Sequence, residues 1–361
     1  MDSALFWEMV IKALVLIFVL LTSFAYLTYY ERRGLARFQS RVGPNRAGPA
    51  GLLQPVADAV KLIFKEEVLP PHAYKPVFIL APILTVVPAI MIVATIPWGG
   101  TIPGTDISLV VADLNIGILY IMSVASIAVY GVVLGGWSSN NKYAMLGGMR
   151  SAAQMVSYEI ALGLSFVGAV LLANTMQMSE IVEAQRGMWF VFIQPAGALV
   201  FFVATLAELN RAPFDMPEAE QELTAGYNTE YSGMKFALFF MAEYTKMVSI
   251  SAIIATIFLG GYRGPGIDSI WWLGPIYMFA KIIFVLGLMI WVRASWPRLR
   301  YDRLMAFGWK VLLPLALSLV FITAIGILLE MTWIITVFSL VAGFIAVQSI
   351  NLSLRRKANA R

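Results

Sequence analysis

The chain has 361 residues, 60% of them hydrophobic and 13% charged, with a net charge of +5 and a mean hydropathy of +0.78, which excludes an ordinary soluble domain and describes a polytopic membrane protein. Zero cysteines exclude a disulfide framework, an iron–sulfur cluster held by this chain and a thiolate zinc site. The lone histidine, His72, cannot supply two axial haem ligands or a multi-histidine metal centre, so any redox metal belongs to a partner.

In chain order, the N-terminus is acidic (Asp2, Glu8) and runs into an apolar stretch longer than a signal-peptide core, which reads as a retained span. Apolar runs of about twenty residues cross a hydrocarbon core of roughly 30 Å as helices. Nine are expected: 6–30, 77–97, 115–137, 155–174, 188–210, 237–260, 270–293, 309–329 and 333–352, with only "EMT" separating the last two. They form one all-α integral membrane domain over 1–361, and Pro82, Pro88, Pro195, Pro275 and Pro314 within them are tolerable in a helical bundle. The segments 31–76, 138–154, 211–236, 293–310 and 353–361 hold twenty-one of the 26 Lys and Arg residues, whereas the opposite loops hold only Arg186 and Arg263. The positive-inside rule then puts the N-terminus outside and the C-terminus in the cytoplasm. This topology accounts for the pI of 9.3 without nucleic acid.

Within 31–76, "GLLQPVADAVKLIFKEE" (about 51–66) places Leu52, Leu53, Val56, Val60, Ile63 and Phe64 on one helical face. It is too short and polar to cross, so it fits an amphipathic helix on the membrane surface, the alternative being a loop helix packed on this chain. Gly131 and Gly135 in "GVVLGGW" form a small-xxx-small pair suited to helix packing.

Charged groups within the spans are few and each needs a partner, water or a neutral form. They include Glu159 in the fourth, Glu208 at the end of the fifth, Glu243 and Lys246 in the sixth, and Lys281 in the seventh. Glu243 and Lys246 are three apart and in position to pair with each other. Lys281, on another helix, is in position to reach one of Glu159 and Glu208. Three buried carboxylates on three spans are the material of a proton relay. The cytoplasmic loop 211–236 adds Asp215, Glu218, Glu220, Glu222 and Glu230. "DMPE" reads as a helix start capped by Asp215, which accounts for Asp215 and Glu218 alone. Glu218 and Glu222 share a helical face, and crowded carboxylates raise one another's proton affinity, although a solvated acidic face stands as the alternative. The basic stretches fit topology and lipid headgroups, but the Gly and Pro turns of "RVGPNRAGPAG" describe a shaped loop.

Five blocks carry a family resemblance: "ERRGLARFQSRVGPNRAGPAGLLQPVADAVKLIFKEE", "GGWSSNNKYAMLGGMRSAAQMVSYE", "AELNRAPFDMPEAEQELTAGYNTEY", "FALFFMAEY" and "WVRASWPRLRYDRL". Over nearly its full length the chain resembles the quinone-site membrane subunit of respiratory complex I. The resemblance implies a helical subunit against the hydrophilic iron–sulfur arm and the other membrane-arm subunits. Ubiquinone or menaquinone would be the bound substrate, with FMN and the iron–sulfur clusters in partner subunits. It implies a quinone cavity at Arg32, Asp58, Ala59 and Lys61, and a path of acids through Asp215, Glu218, Glu220, Glu222 and Glu230 to Glu159, Glu208 and Glu243. Some members carry a carboxylate in the third span where this chain has Ser126, so a relay step there needs the serine and water. A ninth span is also not universal in the family. Two rivals stand beside this reading: the related subunit of a hydrogenase-type or ferredoxin-linked complex, and a stand-alone cation or proton transporter. The transporter is disfavoured by the lack of an inverted repeat.

Overall fold

The computed structural model describes residues 3–102, 104, 107–215, 225–267 and 270–359. Helix is the only extended regular structure among them, beside one isolated bridge between Thr101 and Ser108. The helices are α1 (Ser3–Phe38), α2 (Gln54–Phe64), α3 (Lys75–Met91), α4 (Gly117–Ser138), α5 (Lys142–Ala173), α6 (Met178–Ala184), α7 (Phe190–Ile193), α8 (Pro195–Glu208), α9 (Gly233–Phe258), α10 (Leu273–Ser295), α11 (Tyr301–Phe307), α12 (Leu313–Leu328) and α13 (Thr332–Asn359).

Eight helical stretches among the described residues are long and apolar enough to cross a membrane, with α11 and α12 counted as one. The expected fifth span, 188–210, is interrupted. Pro195 disfavours helical geometry in the residue before it, and Gln194 accordingly adopts φ −130° and ψ 66°. The remaining α8 has 14 residues, about 21 Å of helix, which falls short of the hydrocarbon thickness alone. The helix that contains the expected fourth span begins at Lys142, where Asn141 caps it by accepting a hydrogen bond from the Tyr143 amide at 2.9 Å. The resulting 32 residues make about 48 Å of helix, so α5 extends well beyond a membrane core.

The axis of the bundle is α9, packed against α1, α3 and α10. Of its most apolar stretch 72% is buried, against 11% for α1 and for α13, which form the rim. Close packing of α3 on α4 depends on Gly131, where a Cβ would lie 2.8 Å from the Ala81 carbonyl oxygen. The basic loop after α1 is folded back on it: the Tyr29 hydroxyl and the Arg33 guanidinium both donate to the Ala50 carbonyl, at 2.8 and 3.0 Å. Gly51, at φ 82°, makes the turn into α2, and a side chain there would strike Pro44. The apolar face of α2 is not packed on this chain. Val56, Val60, Ile63 and Phe64 are all exposed, Phe64 at 84%.

Candidate functional site

The site begins where α1 leaves the bundle. Arg32 donates to the Asp58 carboxylate at 2.6 Å, and the Gln54 amide donates to its other oxygen at 3.1 Å. This ties the end of α1 to α2, with Ala59 and Lys61 exposed on the same short helix.

One residue before Arg32, Glu31 is 2% exposed and faces inward. Its carboxylate accepts from Arg211 at 2.6 Å and pairs with Arg293 on α10. The other arm of the Arg211 guanidinium lies 3.1 Å from Glu243 on α9, and its carbon sits 4.5 Å above the Tyr244 ring. Two carboxylates and two guanidiniums drawn from four parts of the chain thus balance to zero, the condition under which buried charge is tolerable.

Lys246, one turn along α9 from Glu243, does not pair with it as the spacing allows. Its ammonium lies 2.8 Å from Glu208 at the end of α8. Arg211 has claimed Glu243, which leaves the Lys246 charge for the carboxylate on the facing helix. Lys281 is also not the partner of Glu159 or Glu208. It donates to the carbonyls of Gly261 and Arg263, both at 2.7 Å, and lies over the Trp189 ring. Glu159 instead accepts a hydrogen bond from the Ser126 hydroxyl on α4.

Three small cavities adjoin these groups. One of about 10 Å³ lies among Glu31, Arg211 and Arg293. A second, about 50 Å³, is bordered by Glu243, Glu208, Lys246 and Asn210. A third, about 20 Å³, is bordered by Glu208, Lys246 and Glu159. A single water needs roughly 10–15 Å³ by this measure, so the larger two have room for water between polar groups. Glu243, Glu208 and Glu159 thus border successive water-sized spaces whose remaining lining is largely apolar, and the fixed cations set the local potential.

In the loop after α8, the Gln154 amide of α5 donates to the carbonyls of Ala207 and Phe214 at 2.8 and 2.7 Å. That clamp holds Asp215 against Arg298, 2.8 Å away. Burial pushes the Asp215 carboxyl up to about 6, an effect larger than the opposing pull of Arg298 and Arg211. Glu230 accepts from the Asn141 amide at 2.6 Å, far along the loop. Glu218, Glu220 and Glu222 lie outside the described residues.

A family model described as NADH dehydrogenase matches residues 11–324. The chain belongs to the family of NADH-quinone oxidoreductase H subunits. It is 49% identical over 328 residues to the second such H subunit of Syntrophobacter fumaroxidans, covering 90% of this chain and 98% of that protein. It is 51% identical over 314 residues to the second H subunit of Geobacter sulfurreducens, covering 86% and 94%. It is 49% identical over 315 residues to the H subunit of Thermomicrobium roseum, covering 84% and 91%. Every candidate named above falls within the matched 11–324, whereas α13 lies beyond it.

Arg211 and Arg293 are not singled out by the sequence because each reads as one of the cytoplasmic cations that topology alone explains, Arg211 at the head of an acid-rich loop and Arg293 in a basic stretch. One signal was present: Glu31 is an acid in a run that topology would fill with cations.

Proposed function

We propose that this chain, as a membrane subunit of an NADH-quinone oxidoreductase, binds the quinone and links its reduction to proton transfer through buried carboxylates. The observation that carries the proposal is the continuity of charge from Arg32–Asp58 through Glu31, Arg211 and Glu243 to Glu208, Lys246 and Glu159, with water-sized spaces along it.

The head group of a ubiquinone or menaquinone meets Arg32, Asp58, Ala59 and Lys61, and the open apolar face of α2 suits its isoprenoid tail. Electrons come from iron–sulfur and FMN-bearing partner subunits of the hydrophilic arm. Reduction takes up two electrons and two protons, giving the quinol. A reduced head group carrying negative charge draws on Arg32 and loosens it from Asp58. The change in potential is felt at adjacent Glu31 and hence at Arg211, which also holds Glu243. Protons enter through the acidic loop, where Asp215, Glu218, Glu220, Glu222 and Glu230 gather them, and pass by Glu243 and Glu208 to Glu159. The Ser126 hydroxyl, bonded to Glu159, serves where some relatives carry an acid. Further membrane-arm subunits take the charge onward. The distribution of Lys and Arg supports an N-terminus outside and a C-terminus in the cytoplasm of a bacterial plasma membrane.

The test is the complex purified in mild detergent through a tag on this chain and sealed into vesicles. Quinone reduction by NADH should be blocked by a quinone-site inhibitor and accompanied by proton translocation. Glu208→Gln should lower the protons moved per quinone reduced while the complex still assembles. Normal stoichiometry in that variant removes Glu208 from the path.

A further inference from the structure

The second and third cavities share two residues, Glu208 and Lys246, so this ion pair is the partition between the Glu243 side and the Glu159 side. Lys246 is 7% exposed and Glu208 5%, yet the pair is sparsely tethered. Among the described residues the Lys246 ammonium makes no hydrogen bond to any carbonyl or hydroxyl, and Glu208 Oε2 accepts none. By contrast Lys281, another lysine within a span, is fixed by two backbone carbonyls. A buried lysine on a four-carbon stem, held by one carboxylate beside a cavity of about 50 Å³, has both the freedom and the room to move.

We propose that Lys246 is a mobile cation gating proton passage between the two cavities. This rests on the reading above, that the buried carboxylates carry protons. In the closed state the ammonium holds ionised Glu208 and separates the cavities. A proton arriving through water from the Glu243 side binds a Glu208 oxygen, and the neutral acid no longer attracts the ammonium. Lys246 turns toward Glu243, one turn back on the same face of α9, and clears the way to the far cavity. Glu208 then releases its proton to water there and on to Glu159. Re-ionised, Glu208 draws Lys246 back. One proton enters and one leaves, and Lys246 keeps its own.

The test uses the whole complex in sealed vesicles with Lys246→Arg and Lys246→Gln. A merely structural cation is replaced by arginine, which stays charged and pairs with a carboxylate through two hydrogen bonds. A gate is not, because the guanidinium holds Glu208 shut. Lys246→Arg is therefore expected to assemble but to move at least about tenfold fewer protons per quinone reduced, since its two-bond grip on Glu208 does not open. Translocation at the wild-type level in Lys246→Arg overturns the gate. Infrared difference spectra supply a second readout that does not depend on that variant folding. Lys246→Gln should show a protonated-carboxyl stretch at rest that is absent from the wild type and disappears in Lys246→Gln/Glu208→Gln. Its absence from Lys246→Gln overturns the proposal. Wild-type vesicles that reduce quinone without moving protons would instead overturn the underlying reading.

Discussion

Replacing Arg211 with methionine removes the cation shared by two carboxylates, the buried Glu31 at 2.6 Å and the partly buried Glu243 at 3.1 Å, and uncovers the Tyr244 ring. Breaking a buried pair by deleting one partner costs about 3–5 kcal/mol, because the other charge stays buried and uncompensated. Here the lower end applies, since Glu31 keeps Arg293 and Glu243 bears most of the loss. About 3 kcal/mol corresponds to more than a hundredfold shift in an equilibrium. Arg211→Met should therefore reduce the yield of assembled complex in mild detergent and its half-life on warming. Arg211→Met/Glu243→Gln removes the orphaned charge along with its partner, and exchanging a whole buried pair for neutral groups is often close to neutral. The double variant should regain at least about half of the lost stability while still failing to translocate protons. Wild-type stability in Arg211→Met, or a double variant weaker than the single, would refute the reasoning that Glu243 depends on Arg211.

Asp215 gives a pH signature. Its carboxyl is raised to about 6 from an ordinary 3.8, so the folded chain binds this proton more tightly than the unfolded one. The contribution to stability is complete below about pH 4 and is lost as pH rises through about 6, amounting to about 3 kcal/mol. Asp215→Asn should flatten that part of the pH profile of thermal inactivation, and an unchanged profile would count against a buried, proton-binding Asp215. Arg32→Ala deletes a charge-assisted hydrogen bond of the kind that contributes roughly 1.5–3 kcal/mol, so the KM for quinone should rise about tenfold or more. Electron entry from NADH to an artificial acceptor should stay within about twofold. If both rates fall together, loss of assembly is the cause and Arg32 has no special place at the quinone.

The sequence by itself determined the class of the molecule, because crossing a membrane imposes long apolar helices that composition and hydropathy reveal directly. It placed most of the passes, the amphipathic α2 and the shaped loop ahead of it, and the resemblance carried by its blocks led to the family. It did not show how far the helix of the fourth pass runs beyond 155–174, since the cap at Asn141 extends α5 through residues polar enough to read as a loop. It also treated the fifth as continuous, although Pro195 breaks it at Gln194. The carboxylates were legible because acids in an oily chain stand out. Their partners were not. Lys246 is three residues from Glu243 and one helix away from Glu208, and only the packing of α8 on α9, with Arg211 already bound to Glu243, decides which carboxylate it holds. Glu31 and Arg211 are 180 residues apart and meet at 2.6 Å. Helical periodicity reports neighbours within about four positions along one helix, whereas a charge buried at low dielectric pairs with whatever opposite charge the fold brings within reach.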